Sequence, residues 1–140
     1  MADHAGALQA FDFEFDRRYQ PLLRLAGVTP STAQVVVGRG PQGVLRARFG
    51  PWLLTTTLDN VADVTVGGPY RAHRVVGPHL SLADRGVTFG TNTRAGVCVR
   101  FHEPVGALAG RDRLPHPGMT VTVADPNGFA QLLRVRAGLA

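Results

Sequence analysis

Hydrophobic and polar positions alternate along most of this chain, and the alternation breaks where a turn or helix is expected. Phe11-Asp12-Phe13-Glu14-Phe15-Asp16 pairs aromatic with acidic residues at a two-residue period, which predicts a strand with one buried and one solvated face. Arg17 to Ala26 departs from that period. Tyr19, Leu22, Leu23 and Leu25 precede Gly27, and Pro21 suits only a first turn, so a short helix or turn is expected there. Val35-Val36-Val37 then ends at Gly38, and the turn cluster Gly40-Pro41-Gln42-Gly43 leads into Val44-Leu45-Arg46-Ala47-Arg48-Phe49. In that strand Arg46 and Arg48 share one face, and Leu45, Ala47 and Phe49 share the other.

Gly50-Pro51 interrupts the pattern, and Trp52-Leu53-Leu54-Thr55-Thr56-Thr57 resumes it. Asp59-Asn60 marks a bend before Val61 to Val66, which Gly67-Gly68-Pro69 closes. Tyr70 to Val76 reads as a further strand ending at Gly77-Pro78. Leu80-Ser81-Leu82-Ala83, the turn Asp84-Arg85-Gly86 and Val87-Thr88-Phe89 predict a hairpin with glycine where positive φ is cheap. After the loop Gly90 to Gly96, Val97, Val99 and Phe101 face one way while Cys98, Arg100 and His102 face the other. Pro104 to Gly118 is rich in Gly and Pro without periodicity and reads as a long loop. Met119, Val121 and Val123 alternate with Thr120 and Thr122 in a last strand.

The chain ends on its clearest local signal. Asp125-Pro126 supplies an N-cap acceptor followed by proline at the first helical position, and Phe129, Leu132, Leu133 and Arg136 follow at helical spacing. A C-terminal helix over about 126–136 is expected, with Phe129, Leu132 and Leu133 on a sheet and Arg134 and Arg136 near its negative end. The fold class this predicts is mainly β. An antiparallel pleckstrin-homology-like barrel or sandwich of about seven strands, with the helix plugging one open end, comes first; a lipocalin-like or split barrel is the alternative.

The 140 residues fit one domain, 1–140, with an acidic leader over 1–16. All 15 basic residues are arginine, and the chain contains neither Lys nor Ile, as a GC-rich genome would produce. Residues 1–16 hold Asp3, Asp12, Glu14 and Asp16 and no arginine, so all 15 arginines face only six acids in the remainder. Two accounts follow: the leader packs on the basic body and neutralises part of it, or the body meets an anionic partner. No window is apolar enough to span a membrane as a helix, and the N-terminus lacks the pattern of a secretory signal, so a cytoplasmic location is expected.

The blocks Phe49-Gly50-Pro51-Trp52, Leu58-Asp59-Asn60-Val61-Ala62-Asp63-Val64, Gly68-Pro69-Tyr70-Arg71, Leu80-Ser81-Leu82-Ala83-Asp84-Arg85-Gly86 and His116-Pro117-Gly118 before Thr120-Val121-Thr122-Val123 carry a resemblance. The chain resembles a family of small actinobacterial proteins of uncharacterised activity, over nearly all of Phe11 to Leu133. The resemblance implies a host lineage and lends no mechanism.

No catalytic constellation emerges from the residues, and the chain is not expected to be an enzyme. His73, His79, His102 and His116 match no metal-ligand spacing, and neither a metal nor a cofactor is expected. Ser31 and Ser81 lack a nucleophile-elbow context. Cys98 reads as a small buried hydrophobe, or as a thiol activated by Arg100 if its face is open. Asp59, Asn60 and Asp63 read as turn-forming side chains ahead of a cation site.

Candidate chemistry therefore lies with the arginines. Arg46, Arg48, Arg71, Arg74, Arg94 and Arg100 are the candidate anion-binding set, since guanidinium forks grip phosphate bidentately. Nucleic acid fits less well, because Phe49, Phe89 and Phe101 alternate away from the basic positions and read as buried. The expected function is an interaction or scaffold module. Self-association would come by adding the leader's Phe11 to Phe15 to a neighbour's sheet. Binding of anionic lipid, membrane surface or phospho-ligand through the arginines is the alternative.

Overall fold

The computed structural model describes residues 8–40, 42–70, 76–80, 86–106 and 115–139. Its strands form two sheets. The first has the order β1-β2-β3-β4, from β1 (Gln9–Asp12), β2 (Ala33–Val37), β3 (Val44–Phe49) and β4 (Trp52–Thr57). The second has the order β5-β8-β9-β7-β6, from β5 (Val61–Gly67), β6 (Gly77–Leu80), β7 (Val87–Gly90), β8 (Gly96–Val105) and β9 (His116–Val121). Two helices complete the described residues, α1 (Gln20–Leu25) and α2 (Pro126–Arg136), with a 3-10 turn over Leu58–Asn60 between β4 and β5. The protein is thus mainly β with one C-terminal helix.

Alternation decides the layering. Leu45, Ala47 and Phe49 of β3 are fully buried while Arg46 and Arg48 are exposed, as the two-residue period requires. Val97, Val99 and Phe101 of β8 do the same against Arg100 and His102. The two inner faces meet in an aromatic cluster. Phe49 of the first sheet stacks on Phe89 of the second with ring centroids 5.0 Å apart, and Phe13 and Trp52 lie 5.5 and 6.5 Å from Phe49. Leu54, Leu58, Met119 and Leu133 fill the space around them.

Hairpin chemistry fits the sequence at β3–β4. Gly50 has φ +62°, the sign that a two-residue primed turn needs at its first central position, and Pro51 follows with its fixed negative φ. Helix α2 begins as expected: the Asp125 carboxylate accepts from the Gly128 N–H at 3.1 Å, and a Cβ at 128 would run into that carboxylate. Phe129, Ala130 and Leu133 are buried, with the Phe129 ring edge-on to Phe11 of β1 at 5.1 Å. The helix packs along β5 and β8 as well, so it fills the wedge between the sheets at one end.

Three features differ from the sequence expectations. The strands do not close into a barrel; among the described residues, backbone strand pairing joins the two sheets through the leader alone. The arrangement is also not wholly antiparallel, because β9 inserts between β8 and β7 and runs parallel to β7. The segment from β7 to β8 is consequently a crossing over the end of β9 and not a hairpin. Finally, the expected loop from Pro104 to Gly118 is strand at both ends, since β8 runs to Val105 and β9 starts at His116. A register shift between Arg100 and Val105 accommodates Pro104, as proline is tolerated at irregular positions of a ladder. Residues 107–114, and most of the expected strand Tyr70 to Val76, lie outside the described residues. β6 and β7 do pair as an antiparallel hairpin, but β6 runs Gly77–Leu80, through the Gly77-Pro78 expected as a break, and Leu80 pairs with Val87; residues 81–85 lie outside the described residues.

The leader crosses from one sheet to the other. Gln9–Asp12 pairs with β2, then Phe13 bridges Val123 beyond β9, with the Ala124 N–H on the Asp12 carbonyl at 2.8 Å and the Glu14 N–H on the Thr122 carbonyl at 3.0 Å. A buried polar junction fixes this crossing. The Thr91 hydroxyl donates to the Glu14 carbonyl at 2.6 Å, so in its 3.0 Å contact with Thr122 it can only accept. The Thr122 hydroxyl therefore donates to Thr91 Oγ1 and accepts from the Thr91 N–H at 2.8 Å. The Asn92 amide adds a second donor to the Glu14 carbonyl at 2.7 Å, and its oxygen accepts from the Arg94 N–H at 2.9 Å. Among the described residues, every buried side-chain nitrogen and oxygen has a partner.

Thr122→Val keeps shape and removes the hydroxyl, leaving the Thr91 N–H buried without an acceptor. We expect a loss of about 1–3 kcal/mol in denaturant unfolding, against less than about 0.5 kcal/mol for Thr65→Val on the exposed face of β5. Equal midpoints for the two variants would contradict a structural role for the junction.

Candidate functional site

The outer face of the first sheet is organised in rows across the strands. Arg46 lies between Val36 of β2 and Thr55 of β4, and Arg48 between Gln34 and Leu53. The second row continues to Asp12, whose carboxylate accepts from the Gln34 amide at 3.3 Å. Arg48 Nε donates to the Gly50 carbonyl at 3.4 Å, whereas among the described residues the Arg46 guanidinium makes no hydrogen bond or ion pair. The two Cα atoms are about 7 Å apart by strand rise, so the guanidinium groups form one basic stripe.

The other candidate arginines do not join them. Arg94 sits in the β7–β8 crossing and pairs with the Glu14 carboxylate at 3.0 Å, so the leader neutralises part of the body at this point. Arg100 projects from the outer face of the second sheet, opposite Asp63 on β5. Since the sheets pack by their inner faces, that side looks away from Arg46 and Arg48. Arg71 and Arg74 lie outside the described residues. Of the six, two share a surface.

The β4 edge next to this stripe was not singled out by the sequence. The Leu58 N–H bonds the Gly43 carbonyl, which sets the ladder phase: Trp52, Leu54 and Thr56 direct their backbone groups to β3. Leu53, Thr55 and Thr57 direct theirs outward, and among the described residues these outward groups carry no hydrogen bond. The strand has six residues without charge, proline or register shift, and Leu53 is 45% exposed.

Each of the other edges carries a feature that β4 lacks. On β1 the Asp12 carbonyl is taken by Ala124. On β5 a register shift follows Val61, and the Val64 carbonyl accepts two bonds from Arg134 at 2.8 and 3.2 Å. β6 has four residues and includes Pro78. Arg136 likewise holds the carbonyls of Val37 and Gly38 at the end of β2, at 3.1 and 3.0 Å. Both C-terminal arginines, read from sequence as complements to the helix dipole, thus bind strand carbonyls of different sheets.

The remaining candidates have structural surroundings. Asn60 reads as the turn former expected: its amide spans the backbone of Glu103 with bonds of 2.8 and 2.9 Å and extends the β5–β8 ladder by one rung. Asp59 accepts from the Thr57 hydroxyl, and Asp63 is exposed. Ser31 bonds Thr29 in a turn, and Ser81 lies outside the described residues. His102 is exposed and His116 fully buried, His73 lies outside the described residues, and no group of three metal-binding side chains occurs among the described residues. Phe49, Phe89 and Phe101 are buried. An open groove of about 250 Å³ beside Glu14, Asn92 and Pro126 is lined by groups already bonded in the polar junction. No helix among the described residues is long and apolar enough to cross a membrane.

Cys98 is half-buried on the outer face of the second sheet, between Thr65 and Thr120. The Tyr70 hydroxyl lies over Gly67 and Gly96 beside it. Burial first, and the neighbouring Cys98 second, raise the Tyr70 phenol above its ordinary value of 10.0. In the unfolded chain the phenol gives up its proton more readily, so stability is level below pH 10.0 and falls as pH rises towards the folded value. Tyr70→Phe should flatten that part of the stability profile between pH 10 and 11, measured by urea unfolding; an unchanged slope would contradict the burial assignment.

No protein family, curated protein or solved structure matches the chain, so any functional reading rests on the geometry of the β4 edge and the arginine stripe.

Proposed function

We propose that this protein is an interaction module that receives an extended segment by strand addition at β4. The observation that carries this reading is the set of outward N–H and C=O groups on Leu53, Thr55 and Thr57, which have no partner among the described residues. A strand laid there gains main-chain hydrogen bonds without breaking any that exist. Self-association by the leader would not have this advantage, because Gln9–Asp12 and Phe13 are already paired within their own chain. In this reading the fold is a barrel-like sandwich left open at the β4 seam. Its pleckstrin-homology-like character rests on element order alone, a strand series ended by a helix, since β9 departs from a consecutive meander.

A second reading is binding of an anionic lipid or phospho-ligand on the stripe of Arg46 and Arg48. It is favoured by the Arg46 guanidinium, which has no partner among the described residues and is shaped for bidentate contact. Two arginines, not six, would carry it.

Thr55→Pro separates the readings. The Thr55 N–H faces outward, so proline removes an edge donor and no ladder bond, whereas Leu54→Pro would break the β3 pairing and unfold the sheet. Short peptides selected against the wild-type protein from a displayed random library should lose at least about tenfold in affinity for Thr55→Pro, roughly the worth of one or two hydrogen bonds. Selected peptides that bind both proteins equally would contradict strand addition. Retention on anionic but not neutral vesicles, lost in Arg46→Ala/Arg48→Ala, would favour the second reading.

A further inference from the structure

We infer that the segment β4 receives is acidic: an extended partner segment that alternates Asp or Glu with apolar residues. The inference rests on the strand-addition reading and names the chemistry of its partner.

Position supplies the first argument. A strand added to β4 lies two strand spacings from β3, about 9–10 Å, close to the screening length of physiological salt. The residues between are Leu53, Thr55 and Thr57, which carry no charge and leave the Arg46 guanidinium room to lean towards the new strand, while Arg48, whose Nε is held by the Gly50 carbonyl, adds its charge from the same row. Outward-facing carboxylates on that strand would meet the stripe. Lysine or arginine at the same positions would be repelled.

The sheet already holds an acidic side chain at the equivalent distance on its other side. β1 also lies two strands from β3, and its Asp12 ends the row that runs through Gln34 to Arg48. The open slot beyond β4 is the counterpart of that position across the arginine stripe. Its inner side favours apolar residues. Trp52 faces inward, 6.5 Å from Phe49, yet is only half-buried, so an apolar side chain on the inner side of an added strand could cover more of it. The required partner pattern, acid outside and apolar inside, is the one that Phe11 to Asp16 carries within this chain.

A second copy of the chain is a weaker occupant. Antiparallel β4–β4 pairing would collect Arg46 and Arg48 from both copies on one face, and the six residues of β4 place no carboxylate between the two stripes.

The chain has a single tryptophan, so Trp52 fluorescence reports on this edge directly. Three capped peptides of equal length are titrated into the full chain, alternating valine with aspartate, with threonine or with lysine. The aspartate peptide should bind about tenfold more tightly than the threonine peptide at low salt, with the gap closing in Arg46→Ala/Arg48→Ala and as salt rises. Thr55→Pro should abolish binding of both.

Equal binding of the aspartate and threonine peptides, still lost in Thr55→Pro, would overturn the acidic inference and leave strand addition standing. Aspartate-peptide binding that Thr55→Pro does not touch would overturn strand addition and assign the charge effect to the face alone. Absence of binding by every peptide would overturn both. A concentration-dependent doubling of mass without peptide, lost in Thr55→Pro, would make a second copy the occupant and overturn the acidic inference.

Discussion

The carbonyl of Glu14 is the point on which this structure turns. It accepts from Thr91 and from Asn92 at once, and Thr91 is itself tied to Thr122, so three distant segments meet at one shared acceptor. A polar cluster this buried stabilises only when each member is satisfied, and here the hydrogen-bond directions leave one consistent assignment. It follows that the leader must run between the sheets, that the β7–β8 segment must cross the end of β9, and that β9 must lie beside β7 in parallel. The aromatic stack of Phe49 on Phe89 then has its two sheets held in register.

From that junction the edges of the sheets acquire their characters. Ala124 takes the Asp12 carbonyl at the end of β1, Arg134 takes a carbonyl of β5, and inside the first sheet Arg136 takes two at the end of β2. Each device satisfies backbone groups that would otherwise solicit another strand. β4 has no such device, and the arginine stripe stands one strand behind it. The basic balance of the chain therefore has a distribution with consequences: Arg94 is neutralised by the leader, Arg134 and Arg136 bind carbonyls, and Arg46 keeps its charge unmatched.

Much of the fold was legible in the sequence because the alternation is unusually regular. The inward and outward residues of β3 and β8 and the C-terminal helix with its Asp125 cap follow directly from period and capping chemistry, and the short helix or turn expected after Arg17 is a helix with Pro21 in its first turn. The strand order was not legible, since pairing partners depend on long-range contacts that Thr91, Asn92 and Thr122 make and that no local pattern announces. Pro104 and Pro117 signalled a loop, yet both sit in strands at or beside an irregular stretch of the ladder. The arginine set was selected by type, and only geometry separated Arg46 and Arg48 from Arg94 and Arg100. The edge itself left one trace, the uncharged run from Trp52 to Thr57, whose meaning depends on knowing that no strand pairs beyond it.

Site-resolved amide hydrogen exchange on the free monomer tests the central claim, that β4 is an unguarded edge, most directly. The account predicts alternation along the strand: slow exchange at Leu54 and Thr56, whose N–H groups point to β3, and fast exchange at Leu53, Thr55 and Thr57. Uniform protection through Leu53, Thr55 and Thr57 in the monomer would mean that the edge is already covered, and would contradict it.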